Sequence, residues 1–178
     1  MTPRSPSTAQ RASGGTATSL TGLPPILTMR TRNDGTLSSA PAPGMAAIEA
    51  SSVAKRITLI EGSSVDASVV ARVRAAAAAA TRVLVSLDSN HTHAHVLEEL
   101  RAYAPCVTRD SYLVVFDTSI EHLPPDVLGD RPWAAGNSPA TAVREFLATT
   151  DQFVVDTDMD HKLLITEAPG GYLKCVKA

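Results

Sequence analysis

Apolar positions along the chain fall into two rhythms. The stretches "RITLIE", "RVLVSLD" and "SYLVVFD" are short runs rich in Val, Ile and Leu, and each ends in an acidic residue: Glu61, Asp88 and Asp117. Runs of this kind fit strands covered on both faces, as in a parallel sheet. Between them, "VDASVVARVRAAAAAA" and "THAHVLEELRAYAP" carry apolar residues at helical spacing, and Val96, Leu97, Leu100 and Tyr103 share one face. The alanine run favours the first helix, Asp66 stands where a cap belongs, and Pro105 stops the second. Strands predicted at 56–61, 82–87 and 111–116 therefore alternate with helices through short connections. This is the pattern of βαβ units, and it predicts an α/β fold with a Rossmann-like, mostly parallel sheet.

Farther along, the loop "IEHLPPDVLGDRPWAAGNSP" holds the only tryptophan, and "ATAVREFLATT" reads as a helix capped by Ser138. The ending "QFVVDTDMDHKLLITEAPGGYLKCVK" predicts two strands separated by an acidic turn, then a Pro-Gly-Gly turn and a short extension. Such a tail makes an antiparallel edge on a parallel sheet. The alternation of Asp156, Asp158 and Asp160 starts like a calcium loop, but the following Gly and the Glu at the twelfth position are missing. It reads as an acidic hairpin turn.

Residues 1–42 follow neither rhythm. From Met1 to Asn33 there is no acidic residue, while Arg4, Arg11, Arg30 and Arg32 are basic and Ser, Thr, Pro and Gly abound. This composition predicts a disordered or irregular segment, and it also resembles a transit peptide. The patterned region, 43–178, is read as one α/β domain opening with the short helix "MAAIEASSVAK". A net charge of −2 and a hydrophobic fraction of 44% argue for a globular protein with no pull toward nucleic acid or anionic membrane. No apolar run approaches the roughly 18 residues of a membrane span. Cys106 and Cys175 lack metal or redox spacing. Both are read as small buried residues in a reducing, cytoplasmic setting.

In open α/β sheets ligands bind beyond the carboxyl ends of the strands. Parallel strands would bring Glu61-Gly62-Ser63-Ser64, Asp88-Ser89-Asn90-His91 and Asp117-Thr118 to one rim. Asp88 and Asp117 across a small gap suit a hard divalent cation that keeps several waters. His91 adds a nitrogen ligand or a base. The competing reading makes Asp88 and Ser89 caps of the next helix. His91 and His95 have the i, i+4 spacing of a zinc pair, but Thr92 stands where that motif needs a glutamate, so a metal-dependent hydrolase is the weakest reading. His93 and His95 are read as solvated or packed helix residues.

The segments "AKRITLIEGSS", "LDSNHTHAHVLEELRAYAP", "SYLVVFDT", "RPWAAGNSPATAVREFL" and "DHKLLITEAPGGYLKCVK" together resemble the cephalosporin hydroxylase family. That family is related to the rhamnosyl O-methyltransferases and has the fold of class I S-adenosylmethionine-dependent methyltransferases. The resemblance runs from Ala46 to Lys177. It implies that Gly62, Ser63 and Ser64 border the adenine of S-adenosylmethionine, and that Asp88 lies against the cofactor. It also implies that Asp88 and Asp117 bind magnesium, and that His91 is the catalytic residue. Phe116 stands where the family has a further acidic residue, which weakens the magnesium site.

The family's first strand, its glycine loop and the acidic end of its second strand belong upstream of Ala46. There "SLTGLPPILTM" matches only in being weakly apolar. The resemblance thus implies a truncated or frame-altered member. In the family's strand order, 3-2-1-4-5-7-6, strands 1 and 2 lie between 56–61 and 82–87. Here those two strands pair directly, or residues 20–30 substitute, or an edge stays open and invites a homo-oligomer. The implied activity is methyl transfer to a hydroxyl of a small molecule or sugar. The family name adds hydroxylation of a β-lactam, and the upstream losses add a non-catalytic remnant or interaction subunit.

Overall fold

The computed structural model describes Ile26–Arg30, residues 47–48 and residues 50–177. The elements in chain order are β1 (Ile26–Arg30), β2 (Ile57–Glu61), α1 (Ala67–Ala78), β3 (Val85–Leu87), α2 (His93–Tyr103), β4 (Tyr112–Val115), α3 (Pro125–Leu128), α4 (Pro139–Ala148), β5 (Phe153–Val155), α5 (Thr157–Leu163) and β6 (Tyr172–Cys175). None of the described helices is long and apolar enough to cross a membrane.

The helical spacing in the sequence becomes a buried stripe. Val96, Leu97, Leu100 and Tyr103 of α2 are all buried, as are Val69 and Val73 of α1. They pack with Leu87, Leu113 and Val115 of the strands and with Val143 and Phe146 of α4 in one core. Ser138 caps α4 in a reciprocal capping box with Thr141, as its position predicts. Asp66 occupies the cap position of α1, but its side chain makes no cap bond. Both cysteines are free; Cys175 is buried and Cys106 half-buried.

β3 and β4 are parallel neighbours in a four-stranded sheet of order β3-β4-β6-β5, where β6 runs antiparallel to both β4 and β5. β2 is elsewhere. It pairs in parallel with β1, from Ile26 opposite Ile57 to Arg30 opposite Glu61. The expectation that all three predicted strands share one sheet is thus corrected: β1 takes an edge of β2, and among the described residues no strand joins this pair to β3. Ile60, Val69 and Val73 still belong to the common core, so burial of side chains joins the two sheets. Within residues 1–42, Ile26–Arg30 form a strand; the rest of that segment lies outside the described residues. The predicted helix from Met45 is corrected: residues 47–48 are helical, but residues 50–53 form turns and a bend and Ala54–Arg56 a single 3-10 turn.

A second correction concerns the acidic stretch. It is a helix, α5, not a hairpin turn. The Asp156 side chain accepts a hydrogen bond from the Met159 N–H at 3.3 Å, and Asp158 and Asp160 fill the first turn, where the helix dipole favours negative charge. The residues after Lys162 do not form the predicted strand. Leu164 turns into a left-handed conformation, φ 61°, and it and Ile165 are exposed. The strand comes instead from the extension beyond Pro-Gly-Gly, which inserts as β6.

That insertion is tight at one atom. The Gly171 carbonyl accepts from the Val115 N–H at 2.9 Å, and a β-carbon on Gly171 would collide with the Val115 carbonyl oxygen. Gly170 has open space around it but a φ of +70°. Gly171→Ala should therefore destabilise the fold by about 2–4 kcal/mol, and Gly170→Ala by only about 1 kcal/mol. Urea titration of both variants measures the difference, and the reverse order would contradict the packing described.

Candidate functional site

The parallel register of β3 and β4 builds the rim. Leu87 lies opposite Val115, and the Phe116 N–H donates to the Leu87 carbonyl at 3.0 Å. Asp88 follows immediately on β3, and Asp117 follows β4 after Phe116. Asp117 takes a left-handed conformation, φ 56°, which aspartate tolerates better than most residues. It starts a tight turn, Thr118–His122, pinned by the Thr118 hydroxyl donating to the Pro169 carbonyl at 2.9 Å. After β3 the chain turns at Asn90, whose side-chain oxygen accepts from the Thr92 N–H at 2.9 Å and the Thr92 hydroxyl at 2.8 Å. Thr92, not Asp88 or Ser89, occupies the cap position of α2. The capping reading of Asp88 is therefore corrected, and its carboxylate is available for other partners.

Those partners are His91 and Asp117. His91 Nε2 lies 3.1 Å from Asp117 Oδ2 and 3.6 Å from Asp88 Oδ1. One ligand atom from each of the three residues falls within 4.8 Å of the others. Asp88 is exposed, while His91 and Asp117 are half-buried. Burial pushes the Asp117 carboxyl above its usual range, and the nearby charges of Asp88 and Glu167 push the same way against the opposing effect of His91. Two carboxylates this close repel unless a proton or a cation stands between them. His91 Nε2 is the ring atom placed to donate to these carboxylates or to bind a metal, which leaves Nδ1 as the nitrogen not engaged by the pair.

The other residues singled out in the sequence separate into two groups. Gly62 has a φ of +144°, and a β-carbon there would meet Val69 at 2.7 Å, so glycine lets α1 pack close. Ser63 is exposed. Ser64 is buried, and its hydroxyl lies 3.0 Å from His95 Nε2 and 3.4 Å from the Ser89 hydroxyl. His95 is thus a network residue rather than a solvated one. His93 packs onto α4, with Nδ1 2.7 Å from the Thr141 hydroxyl and Nε2 3.0 Å from Glu145. Phe116 is half-buried.

Trp133 was not legible as a site residue. Its indole meets the His91 ring edge-on, with centroids 4.9 Å apart and an interplanar angle of 72°. The loop that carries it is held by Glu121, which accepts from the Ser138 hydroxyl at 2.6 Å, the Gly136 N–H at 3.0 Å and Arg144 at 2.8 Å. The Ser138 hydroxyl above all, then Arg144 and Gly136, hold the Glu121 carboxyl down from 4.5 to about 2. Since the folded value lies below the unfolded one, this clamp stabilises fully above about pH 4.5 and is lost as the pH falls toward about 2. Emission from Trp133 should therefore change across that acid window and do so less in Glu121→Gln. An identical acid profile in the two proteins would show that Glu121 does not hold the loop.

A family model described as rhamnosyl O-methyltransferase/CmcI matches residues 30–176. No curated protein and no solved structure matches the chain.

Proposed function

The chain belongs to the rhamnosyl O-methyltransferase/CmcI family, and from that premise we propose that it is an S-adenosylmethionine-dependent O-methyltransferase acting on a hydroxyl of a small molecule or sugar. The observation that carries the reading is the meeting of Asp88, His91 and Asp117 at the carboxyl ends of two parallel strands. The strand arrangement supports it. The order β2-β1 and β3-β4-β6-β5 reproduces 3-2 and 4-5-7-6 of the methyltransferase sheet, including its one antiparallel strand.

Two carboxylates and an imidazole, all reachable from solvent, fit a hard divalent cation such as magnesium or manganese. Such an ion, when bound, supplies positive charge that lowers the pKa of a coordinated hydroxyl. Asp88 and Asp117 would hold it by oxygen and His91 by Nε2. His91 Nδ1 is then the ring atom left to take the substrate proton, directly or through water. Trp133 packs against that ring in a T-shaped contact. With Phe116 beside Asp117, this chain brings one carboxylate fewer than its family, so the affinity should be modest.

S-adenosylmethionine would supply the methyl group. Gly62 and Ser63 are the described residues that would border its adenine, since the Ser64 hydroxyl faces His95. No glycine loop for its methionine part stands among the described residues.

Manganese titration of the full chain, followed by calorimetry and by quenching of Trp133, tests the reading. Binding should occur, and Asp88→Asn or Asp117→Asn should each weaken it about tenfold or more. Calorimetry with S-adenosylmethionine and transfer of a labelled methyl group to hydroxylated acceptors complete the test. Manganese binding indifferent to both substitutions would reject the site. Cation binding without binding of the methyl donor would favour a non-catalytic member of the family.

A further inference from the structure

Beside the carboxylate pair lies a second polar cluster that the proposed chemistry does not use. Glu99, on α2, is 1% exposed. Its Oε1 accepts from the Ser89 hydroxyl at 2.6 Å. His95 Nε2 lies 3.0 Å from the Ser64 hydroxyl, 3.3 Å from the Ser89 hydroxyl and 3.6 Å from Glu99 Oε1. Tyr103 closes the cluster from below, its hydroxyl donating to the Ser64 carbonyl. Glu99 Oε2 is buried with no hydrogen-bond partner among the described residues.

The proton directions follow from valence. The Ser89 hydroxyl commits its single proton to Glu99 Oε1. Toward His95, Ser89 can then only accept, and His95 Nε2 must carry a hydrogen. The same nitrogen faces Ser64 and Glu99. A serine hydrolase needs its serine and its acid on opposite ring nitrogens, so this cluster is not a nucleophilic triad. It is a set of bonds that begins at the buried Glu99 carboxyl and ends at the loops following β2 and β3.

We infer that Glu99 is a positioning residue for the cation site: through Ser89 it locks the residue next to Asp88, and so holds the Asp88 carboxylate opposite Asp117. The inference rests on the reading of Asp88, His91 and Asp117 as a cation site. Asp88 is exposed and has no cap to anchor it. The bond from Ser89 to Glu99 is the anchor next to it along the chain. A buried carboxylate lacking a full set of donors is costly to keep, and holding this loop gives it a role.

Manganese affinity of the full chain, read by calorimetry and Trp133 quenching beside thermal stability, tests this. Ser89→Ala should weaken binding about tenfold, and Ser89→Thr, which keeps the hydroxyl, should stay close to wild type. Ser64→Ala removes the far end of the same network and leaves the bond between Ser89 and Glu99. It should lower stability without changing affinity. Should Ser89→Ala not fold, Glu99→Asp, which draws the carboxylate back by one methylene, replaces it with the same expected loss. Wild-type affinity in Ser89→Ala or in Glu99→Asp would overturn the inference alone. So would losses in affinity that simply track stability across all the variants. A wild-type chain that binds no manganese would remove the cation site and the inference together.

Discussion

The pairing of β3 with β4 is the constraint on which the rim depends. Because the two strands run parallel with Leu87 opposite Val115, the chain must leave both at the same end of the sheet. Both exits carry an aspartate. An antiparallel pairing would carry one carboxylate to the other end of the sheet, and a slip of one residue would turn one toward the opposite face. The core holds this register: Leu87, Leu113 and Val115 are buried among the side chains of α2 and α4, so a slip would expose apolar surface along the whole strand.

The register creates an electrostatic problem that the local structure does not solve alone. Asp88 and Asp117 repel each other. The His91 imidazole lies against both, and Asp117 is partly buried, which raises the cost of its charge. A divalent cation relieves all three at once. The surroundings are built to hold this arrangement in place. Glu121 holds the loop of Trp133, Trp133 packs against His91, and Glu99 accepts from Ser89 beside Asp88.

Much of this was legible in the chain. The apolar runs ending at Glu61, Asp88 and Asp117 mark strands whose ends carry chemistry, and the stripe from Val96 to Tyr103 marks the helix that covers them. What periodicity could not supply was partnership. An edge strand such as Ile26–Arg30 is short, and its apolar signal is diluted by Thr28 and Arg30, so its pairing with β2 is a tertiary outcome. The stretch from Asp156 became a helix because one side-chain cap outweighs a weak turn pattern. His95 and Glu99 have visible i, i+4 spacing, yet their partners Ser64 and Ser89 come from two other loops. Trp133 reaches His91 across more than forty positions of sequence, which no local pattern encodes.

In the proposed site the carboxylates of Asp88 and Asp117 share a cation with His91. Crystals of the full chain soaked in manganese, with diffraction collected at the manganese absorption edge, test it directly. An anomalous peak is expected within coordinating distance of Asp88, Asp117 and His91 Nε2, absent in crystals of Asp88→Asn. A peak elsewhere on the surface with none at this rim, or a peak at the rim that survives Asp88→Asn unchanged, would contradict it.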